Sequence, residues 1–237
     1  MNLVKRIAIS QSNYIPWKGY FDAIHQVDQF VLYDDAQYTR RDWRNRNRIK
    51  TKNGPQWLTI PVEVKGKFHQ TIRETKISDR GWAAQHWKTI QANYSRAANF
   101  DQMKTIFARL YEQAAQFEYL SDVNFFFLRE ISTQLGISTE LRWSSEFQIA
   151  GNATQKLLSI CVQGGASDYF TGPAAKNYLD ESLFKSAGIR VHYFDYNEYQ
   201  SYRQLHGDFI HEVSIIDLLL NEGDRAAKYM KSFAKDE

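Results

Sequence analysis

The sequence predicts an α/β fold, with a Rossmann-like parallel or mixed sheet flanked by helices and a helical middle segment. Short apolar runs typical of buried strands lie towards both ends of the chain, and segments with helical spacing separate them. A long stretch with helical periodicity occupies residues 82–135. The 237 residues contain no Pro/Gly/Ser-rich linker and no internal repeat, so we expect residues 1–237 to form a single domain.

The first elements predict a βαβ unit. Residues 7–9 form a short apolar run, residues 21–27 carry apolar side chains at helical spacing, and residues 29–33 form a second apolar run. A strand, a helix and a strand in this order are typical of a parallel pair. Farther along the chain, residues 57–62 and 71–77 alternate like strands and are expected to pair as a hairpin.

The second half of the chain predicts helices between short strands. The helical stretch presents three apolar faces and ends near Gly136, a typical helix stop. Strands are expected at residues 140–143, 168–170 and 189–194, and helices at residues 154–162 and 213–220. This alternation favours a parallel sheet that helices cover on both faces.

The composition excludes several kinds of site. Cys161 is the single cysteine, so the chain cannot form an intrachain disulfide or a cysteine zinc site, and its apolar neighbours predict a buried thiol. The six histidines lack metal-binding spacing, and we expect neither a metal nor a cofactor. With no apolar leader and no run long enough to span a membrane, the expectation is a cytoplasmic protein that does not contact membranes.

The first of three loops that follow predicted strands spans residues 10–20. Parallel-sheet proteins bind ligands where their strands end, so this loop is a candidate site. It offers Gln11, Asn13, Tyr14 and Trp17 as hydrogen-bonding and stacking side chains. A helix is expected to begin directly behind the loop, and the amides at a helix start attract anions. A purely structural connection is the alternative.

The second and third loops offer charged residues at strand ends. Adjacent residues in an extended chain point in opposite directions, so only one of Asp34 and Asp35 faces a given ligand, as a base or as a turn residue. In the third loop, residues 171–176, Gly172 precedes a helix and Lys176 lies one turn into it. That arrangement is typical of a phosphate or carboxylate cradle, or of an ordinary turn.

Positive charge is concentrated between residues 39 and 52. Seven arginines and lysines and one acid give this stretch a net charge of +6, so the formal +3 of the chain leaves −3 on the remainder. Arg46 and Arg48 lie here, and guanidinium groups favour phosphate and carboxylate. A solvated basic face and nucleic-acid binding, with Trp43 stacked on a base, are the alternatives. The acidic remainder disfavours nucleic acid as the partner.

His86 is the best acid–base candidate among the histidines. It lies on a predicted helix rich in aromatic residues, together with Trp82 and Tyr94. A core histidine with both nitrogens hydrogen-bonded is the alternative. The chain has no G-x-S-x-G motif, which argues against a hydrolase of that class.

Taken together, these segments closely resemble the WbqC-like family. The matching runs cover nearly the whole chain, and their combination is specific. They are residues 9–21, 30–38, 45–50, 87–94, 169–179 and 214–223. Where this chain has Ser10, Gln11, Ser12, Asn13 and Tyr14, the family often has His-Gln-Pro-Asn-Tyr, so a histidine role does not carry over to position 10.

The resemblance implies a role in the biosynthesis of bacterial surface polysaccharides such as O-antigen and lipopolysaccharide. It further implies transfer of glycine, or a similar acyl group, to an amino sugar. We therefore expect a transferase whose substrates are a small anionic molecule such as a sugar nucleotide and an activated amino acid or acyl donor. Asp35 or His86 would act as the base, Arg46, Arg48 and Lys176 would bind the anion, and backbone amides near Gly172 would stabilise an oxyanion.

Two other functions stay open. The loop-Pro-x-x-Gly-helix layout after the first strand is similar to that of nucleotidyltransferases, which would use a nucleoside triphosphate and magnesium. A non-catalytic binding or assembly module would need Arg46 and Arg48, but neither Asp35 nor His86. A catalytic site requires that these four residues and Lys176 lie near one another, whereas scattered positions favour a binding role.

Overall fold

A computed structural model describes residues 4–235 and has a five-stranded parallel sheet at its centre. From one edge to the other, the strands are β5 (Glu140–Trp143), β2 (Gln29–Leu32), β1 (Arg6–Ser10), β6 (Asp168–Thr171) and β7 (Arg190–Tyr193). In the predicted βαβ unit, Ile7 pairs with Gln29 and Ser10 with Leu32. The predicted α/β fold is confirmed.

Helices pack against both faces of this sheet. They are α1 (Lys18–His25), α2 (Trp82–Tyr94), α3 (Phe100–Ala114), α4 (Leu120–Gln134), α5 (Ala153–Gln163), α6 (Glu181–Ser186) and α7 (Ile215–Glu222). A smaller core lies under α5 and α6, and the other helices share a larger core. Within residues 4–235, no helix combines the length and the apolar character needed to cross a membrane.

The alternation of side chains along the central strands explains why helices must bury both faces of the sheet. Ala8 lies in the larger core, whereas its neighbours Ile7 and Ile9 lie in the smaller one. On β2, Phe30 and Val31 are divided between the two cores in the same way. Successive side chains of a strand point to opposite faces, so an uninterrupted apolar run is stable only when both faces are buried.

Strand order reverses at β1. The chain builds outward from β1 to β2 and then to β5, and it returns to the other side of β1 to add β6 and β7. The connections that leave β1 and β6 therefore diverge, which opens a crevice at the carboxyl ends of these strands. Ligands of open parallel sheets bind at such a switch point.

The pairing of the predicted hairpin is wrong. β4 (Gly54–Thr59) pairs antiparallel with β3 (Arg46–Thr51), and residues 71–77 form isolated bridges instead of a strand. One of these bridges, the antiparallel Val62–Ile77, does join the two predicted segments. Gly54 has a φ of +96° in the tight turn between β3 and β4, a conformation that favours glycine. The strand β3 lies within the basic stretch, and Ile49 is its only apolar residue, so it lacks the apolar alternation that would predict a strand.

The reactivity of the Cys161 thiol tests how closely α5 packs against the sheet. Its thiol is fully buried, as predicted, and burial raises the pKa of the thiol. We expect a thiol reagent to label the native protein hardly at all at mildly alkaline pH, because the thiolate is the reacting species. The same reagent should label the denatured chain completely, at its single cysteine. Native labelling as fast as that of the denatured chain would contradict this packing.

Candidate functional site

A cleft of about 760 Å³ opens at the carboxyl ends of β1, β2 and β6, beside the reversal in strand order. This switch-point cleft is lined by Ile9, Ser10, Gln11, Tyr33, Arg44, Gly151, Asn152, Ala153, Lys156, Leu157, Tyr169, Thr171, Gly172, Ala174, Ala175 and Tyr178. The lining thus contains two cations, Arg44 and Lys156, and none of the acids in the part of the chain that the structure describes. Its charge suits an anionic ligand.

Arg44 holds the loop after β1 in place. Its Nη1 donates hydrogen bonds to the carbonyl oxygens of Gln11 at 3.4 Å and Ser12 at 3.3 Å, and to Oδ1 of Asn13. Its Nη2 lies 3.5 Å from a carboxylate oxygen of Asp42, and 15% of the side chain is exposed. Arg44 therefore orients the loop and also places positive charge at the edge of the cleft.

The buried carboxylate of Asp34 anchors the same loop from below. Oδ1 accepts a hydrogen bond from the backbone N–H of Ser12 at 2.8 Å, and Oδ2 accepts from the hydroxyls of Ser12 at 2.7 Å and of Ser121 on α4. Asn124, also on α4, donates to the Ser12 hydroxyl and to the Arg44 carbonyl oxygen, both at 2.9 Å. Burial raises the pKa of Asp34, and these donors and the Arg44 charge oppose that rise.

Asp35 lies outside the switch-point cleft. Asp34 is 1% exposed, whereas the neighbouring Asp35 is exposed, as the opposite orientation of adjacent residues predicts. Asp35 accepts a hydrogen bond from the Ser144 hydroxyl at 2.5 Å. It lines a separate depression of about 530 Å³, together with Arg73 and Asp122 among others. The catalytic role of Asp35 stays a prediction.

The start of α5 contributes the N–H group of Ala153 and a lysine to the switch-point cleft, while a capping box occupies the N–H groups of Asn152 and Gln155. Oδ1 of Asn152 accepts from the N–H of Gln155 at 3.0 Å, and Oε1 of Gln155 accepts from the N–H of Asn152 at 2.9 Å. Gly151 has a φ of +90°, and a side chain there would collide with Gln155. The first turn of α5 contains no acid, so the helix dipole and the Lys156 ammonium both favour an anion in the cleft.

The turn after β6 forms the opposite wall. Gly172 has a φ of −71°, and a Cβ atom placed on it would have no neighbour within 4 Å. The fold itself therefore leaves space at Gly172 for a ligand to approach the backbone. Lys176 does not line the cleft: it is exposed, and its ammonium lies 4.9 Å from the centre of the Tyr193 ring.

A second cavity, of about 200 Å³, adjoins the loop after β1. This tryptophan pocket is lined by Asn13, Pro16, Trp17, Trp43, Asn47 and Glu212. Arg44 connects the two cavities, because it lines the switch-point cleft and hydrogen-bonds to Asn13 of the tryptophan pocket. The two cavities are therefore neighbours on one side of the molecule.

The start of α1 does not provide the expected anion site. Lys18 and Gly19 are buried there, and the indole of Trp17 covers Gly19 so closely that a Cβ atom would collide with it. Trp17 also packs edge-on against Tyr196 and Tyr199, with ring centres 5.7 and 5.3 Å away. Among the helices that begin near the first loop and the cleft, α5 rather than α1 presents its first turn to the switch-point cleft.

Arg46 and Arg48 lie on the β3–β4 hairpin, and neither lines the switch-point cleft. The Arg46 guanidinium lies 4.0 Å from the centre of the Trp57 ring. Arg48 lies 5.6 Å from the Trp43 ring and 4.0 Å from a carboxylate oxygen of Glu212. These contacts hold both arginines over the indoles. Their binding of phosphate stays a prediction.

Tyr14 and His86 belong to a hydrogen-bonded group in the core. Nε2 of His86 lies 3.2 Å from the carbonyl oxygen of Thr59, which can only accept, so the neutral ring carries its proton on Nε2. Nδ1 then accepts from the Tyr14 hydroxyl at 2.9 Å, and Tyr111 donates to Tyr14 at 2.9 Å. Burial lowers the pKa of His86 to about 4. Neither residue lines the switch-point cleft, and their roles as base and substrate ligand stay predictions.

The structure brings together four of the predicted site residues. Gln11 and Gly172 line the switch-point cleft, and Asn13 and Trp17 line the tryptophan pocket beside it. The predicted residues outside both cavities are Tyr14, Asp35, Arg46, Arg48, His86 and Lys176. The last five are those that a catalytic site was expected to bring together, and neither cavity gathers them, which disfavours catalysis by that set of residues. Within residues 4–235, no three His, Cys, Asp or Glu side chains are placed to hold a metal ion.

The three charged residues of the two linings were not predicted as site residues from the sequence: Arg44, Lys156 and Glu212. Nothing in the basic stretch distinguishes Arg44 from its neighbouring cations. The Asn-x-x-Gln pattern ahead of Lys156 is a capping box, which could have marked the helix start. Glu212 reaches the tryptophan pocket only through long-range folding, which no local pattern predicts.

The depressed pKa of His86 predicts a pH-dependent stability. An unfolded histidine titrates near 6.5 and folded His86 near 4, so between these values the unfolded chain binds a proton that the folded chain does not. The contribution of His86 to the free energy of unfolding should therefore be fully present above pH 6.5 and fall by up to about 3 kcal/mol as the pH drops to 4.

Urea unfolding of the wild type and of the His86→Gln variant across this pH range measures the effect. The stability difference between wild type and variant should shrink as the pH falls, since glutamine does not titrate. A difference that stays constant would contradict the buried, neutral state of His86.

Comparison with known proteins identifies a matching family model and a similar protein. Residues 11–229 match the model of the WbqC-like protein family. The uncharacterized protein Rv1507c of Mycobacterium tuberculosis is 50% identical over 228 residues, which are 96% of this chain and 98% of that protein. No solved structure is detectably similar. The chain therefore belongs to the WbqC-like protein family.

Proposed function

We propose that this protein is a transferase that acylates the amino group of a nucleotide-linked amino sugar in bacterial surface-polysaccharide biosynthesis. The observation that supports the proposal most strongly is the cationic switch-point cleft. Its volume of about 760 Å³ suits a ligand of this size, since small-molecule sites span roughly 300–1,000 Å³. The amino sugar and the acyl transfer come from the family resemblance.

The diphosphate of the substrate would lie between Arg44, Lys156 and the start of α5. Two cations, the N–H group of Ala153 and the helix dipole offer charge and hydrogen bonds to a group with two negative charges. The described lining contains no acid that would repel it. This arrangement also explains how a chain with a net charge of only +3 can bind a small anion tightly at one place.

In the proposed reaction, the amine nitrogen of the sugar attacks the carbonyl carbon of the acyl donor. The sugar binds as an ammonium ion, so its nitrogen first gives up one proton to become nucleophilic. The new C–N bond then forms, the bond to the leaving group breaks with its electron pair, and the nitrogen gives up a second proton. Backbone amides near Gly172 would stabilise the oxyanion that develops on the carbonyl oxygen. Asp35 lies outside the cleft, in the separate depression with Arg73 and Asp122, so its role as the base stays a prediction.

Replacing Lys156 tests the proposed phosphate site. In Lys156→Met the side chain keeps its length and loses its charge, so affinity for a sugar nucleotide should fall about tenfold, the loss of one charge-assisted contact. Calorimetric titration with UDP- and dTDP-linked amino sugars measures it. Lys185→Met is the matched control, because Lys185 is an exposed lysine on α6 outside the cleft. Equal affinities of the two variants would contradict the proposal.

The activity itself is tested by incubating the protein with UDP- or dTDP-linked amino sugars and activated glycine. Mass spectrometry should detect the sugar nucleotide with one added glycyl group. If no acylated sugar forms and the folded protein binds no sugar nucleotide, the proposal fails. Release of pyrophosphate from a nucleoside triphosphate with magnesium would instead favour a nucleotidyltransferase.

A further inference from the structure

We infer that the tryptophan pocket binds the sugar ring of the substrate and that Glu212 recognises the ammonium group on that ring. The inference rests on the proposed function and deepens it, because it names the part of the substrate that this second cavity takes. It also makes Glu212 and Trp43 residues that determine which sugar is bound.

The size of the pocket limits what it can hold. Its volume of about 200 Å³ is below the roughly 300–1,000 Å³ of sites for drug-sized ligands. A single ring fits this space, but a complete sugar nucleotide does not. The remainder of the substrate must therefore lie elsewhere, and the switch-point cleft is the neighbouring cavity.

The walls have the chemistry of a sugar site. Trp17 and Trp43 present indoles, which stack on the C–H faces of a pyranose. Trp17 is held by Tyr196 and Tyr199, so its position does not depend on the ligand. Trp43 is 37% exposed at the mouth of the pocket and can cover a bound ring.

The polar groups of the pocket suit an amino sugar in particular. The Glu212 side chain is 69% exposed, and its ion pair with Arg48 is long, at 4.0 Å. Its carboxylate is thus accessible to a ligand ammonium group. The Oδ1 atom of Asn13 accepts a hydrogen bond from Arg44, whereas its NH₂ group donates none within residues 4–235 and stays available to an acceptor such as a sugar hydroxyl.

The segment that carries Glu212 is held firmly. Residues 194–214, which we call the strap, contain neither helix nor strand and cross from β7 to α7. Lys50 donates hydrogen bonds to Oε1 of Gln204 at 3.0 Å and to the carbonyl oxygen of Asp208 at 2.5 Å. The N–H of Ser214 donates to the carbonyl oxygen of Arg48 at 2.8 Å. Long loops of this kind in a folded domain commonly serve binding.

The connection between the cavities fits one extended substrate. Asn13 lines the tryptophan pocket, Gln11 lines the switch-point cleft, and Arg44 hydrogen-bonds to both residues. A ligand with its diphosphate beside Arg44 can place the attached ring against Trp43, the residue that directly precedes Arg44.

The test compares UDP-glucosamine, UDP-glucose and UDP, with their dTDP counterparts, by calorimetric titration at neutral pH. Wild type should prefer the amino sugar to the neutral sugar about tenfold, and Glu212→Gln should abolish that preference while leaving the affinity for the nucleoside diphosphate unchanged. Glu198→Gln is the matched control, since Glu198 is an exposed acid of the strap outside the pocket. A preference that persists in Glu212→Gln, or none in wild type, would overturn the inference.

A second variant separates the sugar ring from the nucleobase. Trp43→Leu should weaken binding of both sugar nucleotides several-fold and leave the nucleoside diphosphate unaffected, whereas Phe68→Leu, at an exposed aromatic residue outside both cavities, should change neither. If Trp43→Leu weakens the nucleoside diphosphate equally, the base occupies the pocket and the inference is wrong. If wild type binds no nucleoside diphosphate or sugar nucleotide at all, the proposed function fails as well, so the two failures are distinguishable.

Discussion

The buried carboxylate of Asp34 is the constraint on which both cavities depend. It accepts hydrogen bonds from the backbone and hydroxyl of Ser12 and from Ser121, and Asn124 extends the network to Arg44. A buried donor that loses its partner costs about 1–3 kcal/mol, so the bonds to this one carboxylate hold the loop after β1 strongly. The same bonds determine where Arg44 meets the ligand.

Two further buried carboxylates hold the strap. Asp22 on α1 accepts from the Tyr199 hydroxyl at 2.5 Å, and Asp217 on α7 accepts from the Tyr202 hydroxyl at 2.8 Å and the Tyr94 hydroxyl at 2.7 Å. Both acids are completely buried. The high aromatic content of the chain, 15%, therefore supplies hydrogen-bond donors to the core as well as apolar surface. Through these bonds the core determines where the strap, and with it Glu212, can lie.

The parts of the fold that follow from local periodicity could be predicted from the sequence. The apolar runs of β1 and β2 and the helical spacing of α2 to α4 give patterns that do not depend on distant partners. The strand β3 could not be predicted, because its exposed face carries Arg46 and Arg48 and its partner is set by the turn at Gly54. The local sequence pattern predicts a strand poorly where tertiary contacts decide which strands pair.

The candidate site was predictable only in outline. The rule that ligands bind at strand ends identified the loops with Gln11 and Gly172, which do line one cleft. The rule led to Lys176 and gave no reason to name Lys156, because which lysine lines the cleft depends on whether a short 3₁₀ turn or a helix start faces it. His86 shows the reverse case: a residue type typical of catalysis is used here to hydrogen-bond Tyr14 in the core.

Hydrogen–deuterium exchange with and without a nucleotide-linked amino sugar tests most directly whether the switch-point cleft is the ligand site. We expect slower exchange on binding in residues 10–13, 151–157 and 171–175, and also around Trp43, Asn47 and Glu212 where the sugar ring lies, with the rest of the sheet unchanged. Protection confined to the β3–β4 hairpin, or to the depression around Asp35, Arg73 and Asp122, would contradict it.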